Sequence, residues 1–116
     1  ALAHIDYIAR NATFAHPEIS YGDFADDIDA VLRALIETDT VIEINTRRLS
    51  VPRGIKELAP VCRRYRELGG RYVTVGSDAH VPEGVGRNYD RARELAHAFD
   101  LTVVTFCARK MQICEE

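Results

Sequence analysis

No stretch of this sequence approaches the ~20 consecutive apolar residues of a membrane span, and no signal peptide opens it, so the expected setting is the cytoplasm, with no membrane partner. Cysteine is sparse: Cys62, Cys107 and Cys114 are odd in number and far apart. Without a CxxC pair, neither a zinc knuckle nor a thioredoxin-type redox site is indicated, and buried free thiols are expected. Basic charge is short as well. Fifteen Lys and Arg face 18 Asp and Glu, for a net charge of −3. Aromatic and basic residues are little interleaved, which argues against nucleic acid as a partner. Linkers, repeats and low-complexity segments are missing too, which leaves 1–116 as a single domain. What remains is 116 residues, 47% hydrophobic and 28% charged. That is an ordinary globular composition, able to bury roughly 65% of its unfolded surface. The chain begins without Met and its first residues already read as core, so the expectation is a C-terminal fragment of a longer domain.

Hydrophobic periodicity places four strands and three helices in alternation. The first strand is read over 1–8, "ALAHIDYI", where His4 and Asp6, two apart, share a face. A loop broken by Pro17 and Gly22 follows. The first helix spans "DFADDIDAVLRALIETD", with Phe24, Ile28, Val31, Leu32, Leu35 and Ile36 on one stripe and acids in its first turn. Residues 40–46 form the second strand, "TVIEINT". A helix over about 55–68 ends at Gly69 and Gly70, with Pro60 clouding its start. "RYVTVG" is the third strand. A helix over about 85–99 buries Val85, Tyr89, Ala92, Leu95, Ala96 and Phe99, and residues 101–106 form the fourth strand. "MQIC" adds a short terminal segment. Alternation of this kind implies an α/β fold, a parallel sheet of βα units joined by right-handed crossovers. Such sheets keep their chemistry at the carboxyl ends of the strands.

Those ends carry polar groups. His4 and Asp6 lie on the first strand, Glu43 and Asn45 on the second, and Asp78 and His80 follow the third in "VTVGSDAHVPEG". Imidazole and carboxylate groups on one rim are what a divalent cation needs, at ~2.0–2.2 Å. Taken singly, each has a blander reading. Asp78 suits an Asx turn or a helix cap, His80 a solvated loop, and His4 a hydrogen-bonded interior position. Grouped on neighbouring strand ends, they favour a site.

The segments "AHIDYIAR", "EINT" and "VTVGSDAHVPEGVG" resemble the C-terminal part of the polymerase and histidinol phosphatase (PHP) family, nearest its histidinol-phosphatase-like phosphoesterases. The resemblance runs in order along nearly the whole chain. It implies a distorted (β/α)7 TIM-like barrel holding two or three divalent metal ions (zinc, manganese or iron). It implies His4, Asp78 and His80 as metal ligands, the last two in the catalytic centre. Arg10 matches an arginine that holds substrate phosphate. A second such arginine belongs near the end of the following strand, where Arg47 or Arg48 stands. The implied partner is a small phosphorylated substrate, and the implied reaction is hydrolysis of a phosphate monoester. The family opens with an H-x-H pair, whereas His4, His16, His80 and His97 include no two residues separated by one. The chain therefore matches the last three or four βα units and lacks most of the metal cluster, and full activity is not expected of it alone.

Other residues receive plainer roles. His97 and the arginines Arg87, Arg91 and Arg93 read as solvated helix faces, and Tyr7 and Tyr21 as packing. His16 lies on the loop beyond His4, within possible reach of the same rim. Asp6 reads as a carboxylate that orients a ligand, and Glu43 and Asn45 as groups that contact substrate or satisfy backbone. Two competing functions stand beside phosphoester hydrolysis: a non-catalytic metal-binding or assembly module of PHP-like fold, and a nuclease or proofreading module. A partial barrel leaves sheet edges unpaired, which predicts a homo-oligomer.

Overall fold

The computed structural model describes residues 1–13 and 15–114. The β-branched runs at the sheet centre pair as expected: β1 (Ile42–Asn45), β2 (Tyr72–Gly76) and β3 (Thr102–Cys107) are parallel neighbours in that order. Pairing register sorts the residues by face. Ile42 stands opposite Val73, and Val73 opposite Val103, so this row points one way. Ile42, Ile44 and Val73 are packed against α2 (Ala25–Glu37), α3 (Pro52–Glu67) and α4 (Tyr89–Ala98) through Leu32, Leu58, Cys62, Ala92 and Leu95. Leu32, Cys62, Val73 and Ala92 are wholly buried. The opposite face carries the pairs Glu43–Thr74 and Asn45–Gly76. Polar residues thus share one face near the strand ends, and apolar ones fasten the other to the helices.

The first strand is a correction. Only Leu2 pairs there, in a single parallel bridge to Ile42. Its N–H donates to the Val41 carbonyl at 2.8 Å and its own carbonyl accepts from Glu43 N–H at 2.9 Å. His4 then turns left-handed (φ 33°), and the helix α1 (Tyr7–Asn11) begins. His4 and Asp6 therefore do not share a strand face.

A wholly parallel sheet is a second correction. "MQIC" falls within β4 (Lys110–Ile113) and its immediate flank, and β4 folds back antiparallel on β3. Thr46, read as the end of the second strand, and residues 47–50, read as the loop after it, wind together into a 3₁₀ turn (Thr46–Ser50). α3 starts earlier than expected because Pro52 occupies its first turn, where a missing N–H costs nothing. Pro60 is carried inside the helix. Gly69 ends it at φ 108°, with Gly70 N–H donating to the Tyr65 carbonyl at 2.9 Å.

α4 begins at Tyr89 instead of Val85, since a 3₁₀ turn (Pro82–Gly84), Gly86 at φ 75° and Asn88 at φ 55° precede it. Val85 and Tyr89 are consequently exposed, as are Phe24 and Val31 of the α2 stripe, both expected in the core. Phe24 and Val31 instead line a surface groove with Ile5, Ile19 and Leu58. The cysteines are free, but only Cys62 is fully buried, and Cys107 is exposed. Burial pushes the Cys62 thiol up to about 12, so it stays protonated and inert. Among the described residues, no helix is long and apolar enough to cross a membrane.

Candidate metal and phosphate site

Asp78 is the focus. β2 delivers the chain to Gly76, and two residues later Asp78 adopts a left-handed backbone (φ 47°). Asp is among the few non-glycine types that tolerate this region, and its occupation by a polar residue often marks a site. Three side chains converge on its carboxylate. His80 Nε2 lies 3.2 Å from Oδ1. Arg10 Nη1 and Arg47 Nη1 each lie 3.5 Å from Oδ2. Arg47 Nη1 also donates to the Asp78 carbonyl at 3.3 Å, tying the loop to the end of β1. Asp78 is about three-quarters covered (24% exposed) while His80 stands open at 65%. The site is a solvent-facing rim whose central acid is sheltered.

His4 reaches this rim through backbone and neighbours. Its N–H donates to Glu43 Oε1 at 3.2 Å, which also accepts from Asn45 Nδ2 at 3.1 Å. Asn45 Oδ1 in turn accepts from Arg47 N–H at 3.0 Å. A continuous polar path therefore runs from His4 through Glu43, Asn45 and Arg47 to Asp78. Glu43 lies directly over Gly76, where an added Cβ would collide with its carboxylate. A larger residue there would displace the flexible end of Glu43. The His4 ring is exposed and tilts against Tyr7, with centroids 4.9 Å apart.

The donor chemistry of Asp78 and His80 suits a divalent cation, one carboxylate and one imidazole in contact. The set is incomplete, however. Among the described residues, no three His, Cys, Asp or Glu side chains gather closely enough to hold a metal. His4 is not brought together with the Asp78–His80 pair. His16 and His97 are exposed.

The structure separates the two adjacent arginines. Arg47 turns to Asp78, whereas Arg48 turns away, its Nη1 2.9 Å from Asp6 Oδ2 and its Nη2 2.6 Å from Glu18 Oε1. Burial works against the charge of Arg48, but the bonds to Glu18 and Asp6 outweigh it, so its guanidinium titrates above its ordinary value. Arg91 is not merely solvated, since its Nη1 donates to the Leu49 carbonyl at 2.7 Å. Asn88 Nδ2 donates to the Thr46 carbonyl at 3.1 Å and to Ser50 Oγ at 2.7 Å. Neither Glu18 nor Asn88 was singled out from the sequence. Asn88 fell inside the helix read over about 85–99, and nothing in the spacing pointed to either.

No protein-family model matches the chain. A probable histidinol-phosphatase of Clostridium acetobutylicum is 45% identical over 112 residues, covering 97% of this chain and 44% of that protein. A probable histidinol-phosphatase of Thermotoga maritima is 30% identical over 115 residues, covering 95% of this chain and 45% of that protein. The fold is similar to a crystal structure of histidinol phosphate phosphatase from Lactococcus lactis complexed with zinc, L-histidinol and phosphate. The TM-score is 0.79 at 24% identity, over 96% of this chain and 43% of that one. The chain spans less than half the length of the curated relatives it matches. Along nearly all its residues the chain is similar to one part of those two probable histidinol-phosphatases.

Proposed function

We propose that this chain is the C-terminal part of a PHP-type (β/α)7 barrel, and that the complete protein is a metal-dependent phosphoesterase acting on a small phosphate monoester such as histidinol phosphate. One observation carries the reading: two guanidinium groups and an imidazole meet at a single sheltered carboxylate beyond a strand end. The 45% identity to a probable histidinol-phosphatase supports it.

In this reading Asp78 and His80 are metal ligands in the catalytic centre, and His4, held beside the rim by Glu43 and apart from that pair in this structure, is a third ligand of the assembled cluster. The remaining ligands come from the portion of the relatives that this chain does not cover. A bound divalent cation (zinc, manganese or iron) supplies a water that is deprotonated near neutral pH. The chain's own residues bind and orient. Arg10 and Arg47 present planar forks matched to phosphate oxygens. Their 3.5 Å contacts with Asp78 are long for ion pairs, so they turn readily to an incoming phosphate. Glu43 and Asn45 hold His4 and Arg47 in register, which fixes the phosphate relative to the ligand pair. The cytoplasm is the proposed location, supported by the odd, widely spaced cysteines.

A second reading is a non-catalytic metal-binding or assembly module, supported by the exposed edge strand β4. Elemental analysis of the complete protein and assay of phosphate release from histidinol phosphate separate the two. Bound divalent metal with turnover is the expected result. Absence of both would leave the module.

A further inference from the structure

We propose that Arg48 is a positioning residue, a clamp that fixes α1 and thereby sets where Arg10 meets Asp78. The inference rests on the phosphoesterase reading for its consequence, but not for its geometry. Arg48 and Arg47 are successive residues of one 3₁₀ turn, and they serve opposite directions. Arg47 reaches the carboxylate of Asp78. Arg48 spans Asp6, immediately before α1, and Glu18, in the chain beyond α1. One guanidinium thus ties the residue before a five-residue helix to a carboxylate seven residues beyond its last turn.

Such a helix is too short to hold itself. It makes little core contact, with Ala9 its sole buried residue and Tyr7 and Ile8 half or more exposed. Its position must come from elsewhere. The ion cluster supplies it: the side chains of Arg48, Asp6 and Glu18 are 15%, 18% and 14% exposed. The planar guanidinium fixes the directions of its two Nη groups, one to each carboxylate, so both are held in one geometry. The same 3₁₀ turn anchors the far end of the Asp78 loop, through Asn88 on Thr46 and Ser50 and Arg91 on Leu49. Residues 46–50 therefore act as a hub between the segment bearing His4 and Arg10 and the loop bearing Asp78 and His80.

The test compares wild type, Arg48→Met, and the triple variant Arg48→Met with Asp6→Asn and Glu18→Gln. The triple variant removes the clamp without stranding buried carboxylates, so it separates positioning from folding. On the complete protein with histidinol phosphate, the triple variant should raise KM about tenfold, with kcat changed less than about threefold, because Arg10 is displaced while His4 keeps its bond to Glu43 beside the Leu2 bridge. On the 116-residue chain, hydrogen exchange of the α1 amides and Glu18 should quicken, while Leu32, Val73 and Leu95 keep their protection. A triple variant with unchanged KM would overturn the proposal, as would loss of protection throughout the core. A wild type that releases no phosphate would sink the phosphoesterase reading alone. Exchange would then decide the clamp by itself, with unaltered α1 protection counting against it.

Discussion

Single residues divide here into those that shape the rim and those that merely hold the chain together, and charge contacts tell them apart. Asp29 belongs to the second kind. Arg64 Nη2 and Nε both bond its carboxylate, the Tyr21 hydroxyl donates to it at 2.9 Å, and Arg33 stands nearby. The Arg64 bonds, aided by Tyr21 and against some desolvation, hold Asp29 at about 2, below its ordinary 3.8. A depressed folded value means the stabilisation is complete above the unfolded value and is lost as pH falls through the folded one. Wild type should therefore lose stability between pH 3.8 and about 2 more steeply than Asp29→Asn. Urea midpoints across that window check it, and parallel slopes would contradict it. The rim residues were legible to different degrees. Asp78 and His80 stand two apart after an apolar strand, and that local pattern can be read directly. Arg48 and its partners Asp6 and Glu18 are 42 and 30 residues apart, a distance that spacing does not encode.

At the level of elements, the parallel strands and their covering helices follow from period: β-branched runs for β1 to β3, and an apolar stripe for each long helix. What escaped was the first eight residues. "ALAHIDYI" has the composition of a strand, yet Tyr7 N–H bonds the His4 carbonyl at 2.9 Å and Asp6 is drawn to Arg48, so the chain coils after one bridge. Tertiary pairing overrode local preference. The late start of α4 has a similar origin, since Asn88 spends its side chain on the 3₁₀ turn at Thr46–Ser50 instead of capping the helix. Packing between elements also gives a sharp test at β2. Gly76→Ala must push Glu43 off its seat and so disturb His4 and Asn45 together. The atoms met are the far end of a flexible side chain, so the stability cost is small, while metal retention of the complete protein should fall. A variant as metal-loaded as wild type would show that Glu43 does not link these strands.

Over the whole molecule, the sheet order β1-β2-β3-β4 leaves the outer edge of β1, among the described residues, with only the Leu2 bridge, and β4 exposed along its length. Phe106, Met111 and Ile113 are exposed on that hairpin. Unpaired edges with apolar side chains invite another strand. The isolated 116 residues should accordingly self-associate as concentration rises, and light scattering that finds only monomer at high concentration would rule this out. The α/β architecture was legible in the sequence because alternation of periods constrains topology. The sequence carries no H-x-H pair, so the donors that spacing could offer were His4, Asp78 and His80 alone. The central claim, that Asp78 is the hub of a phosphate-ester-cleaving rim, meets its most direct test in phosphate release from histidinol phosphate by the complete protein and by its Asp78→Asn variant. The account predicts turnover in the wild type and a loss of at least about a hundredfold in the variant, equivalent to roughly 2.7 kcal/mol of barrier. A variant that turns over as fast as the wild type would contradict it.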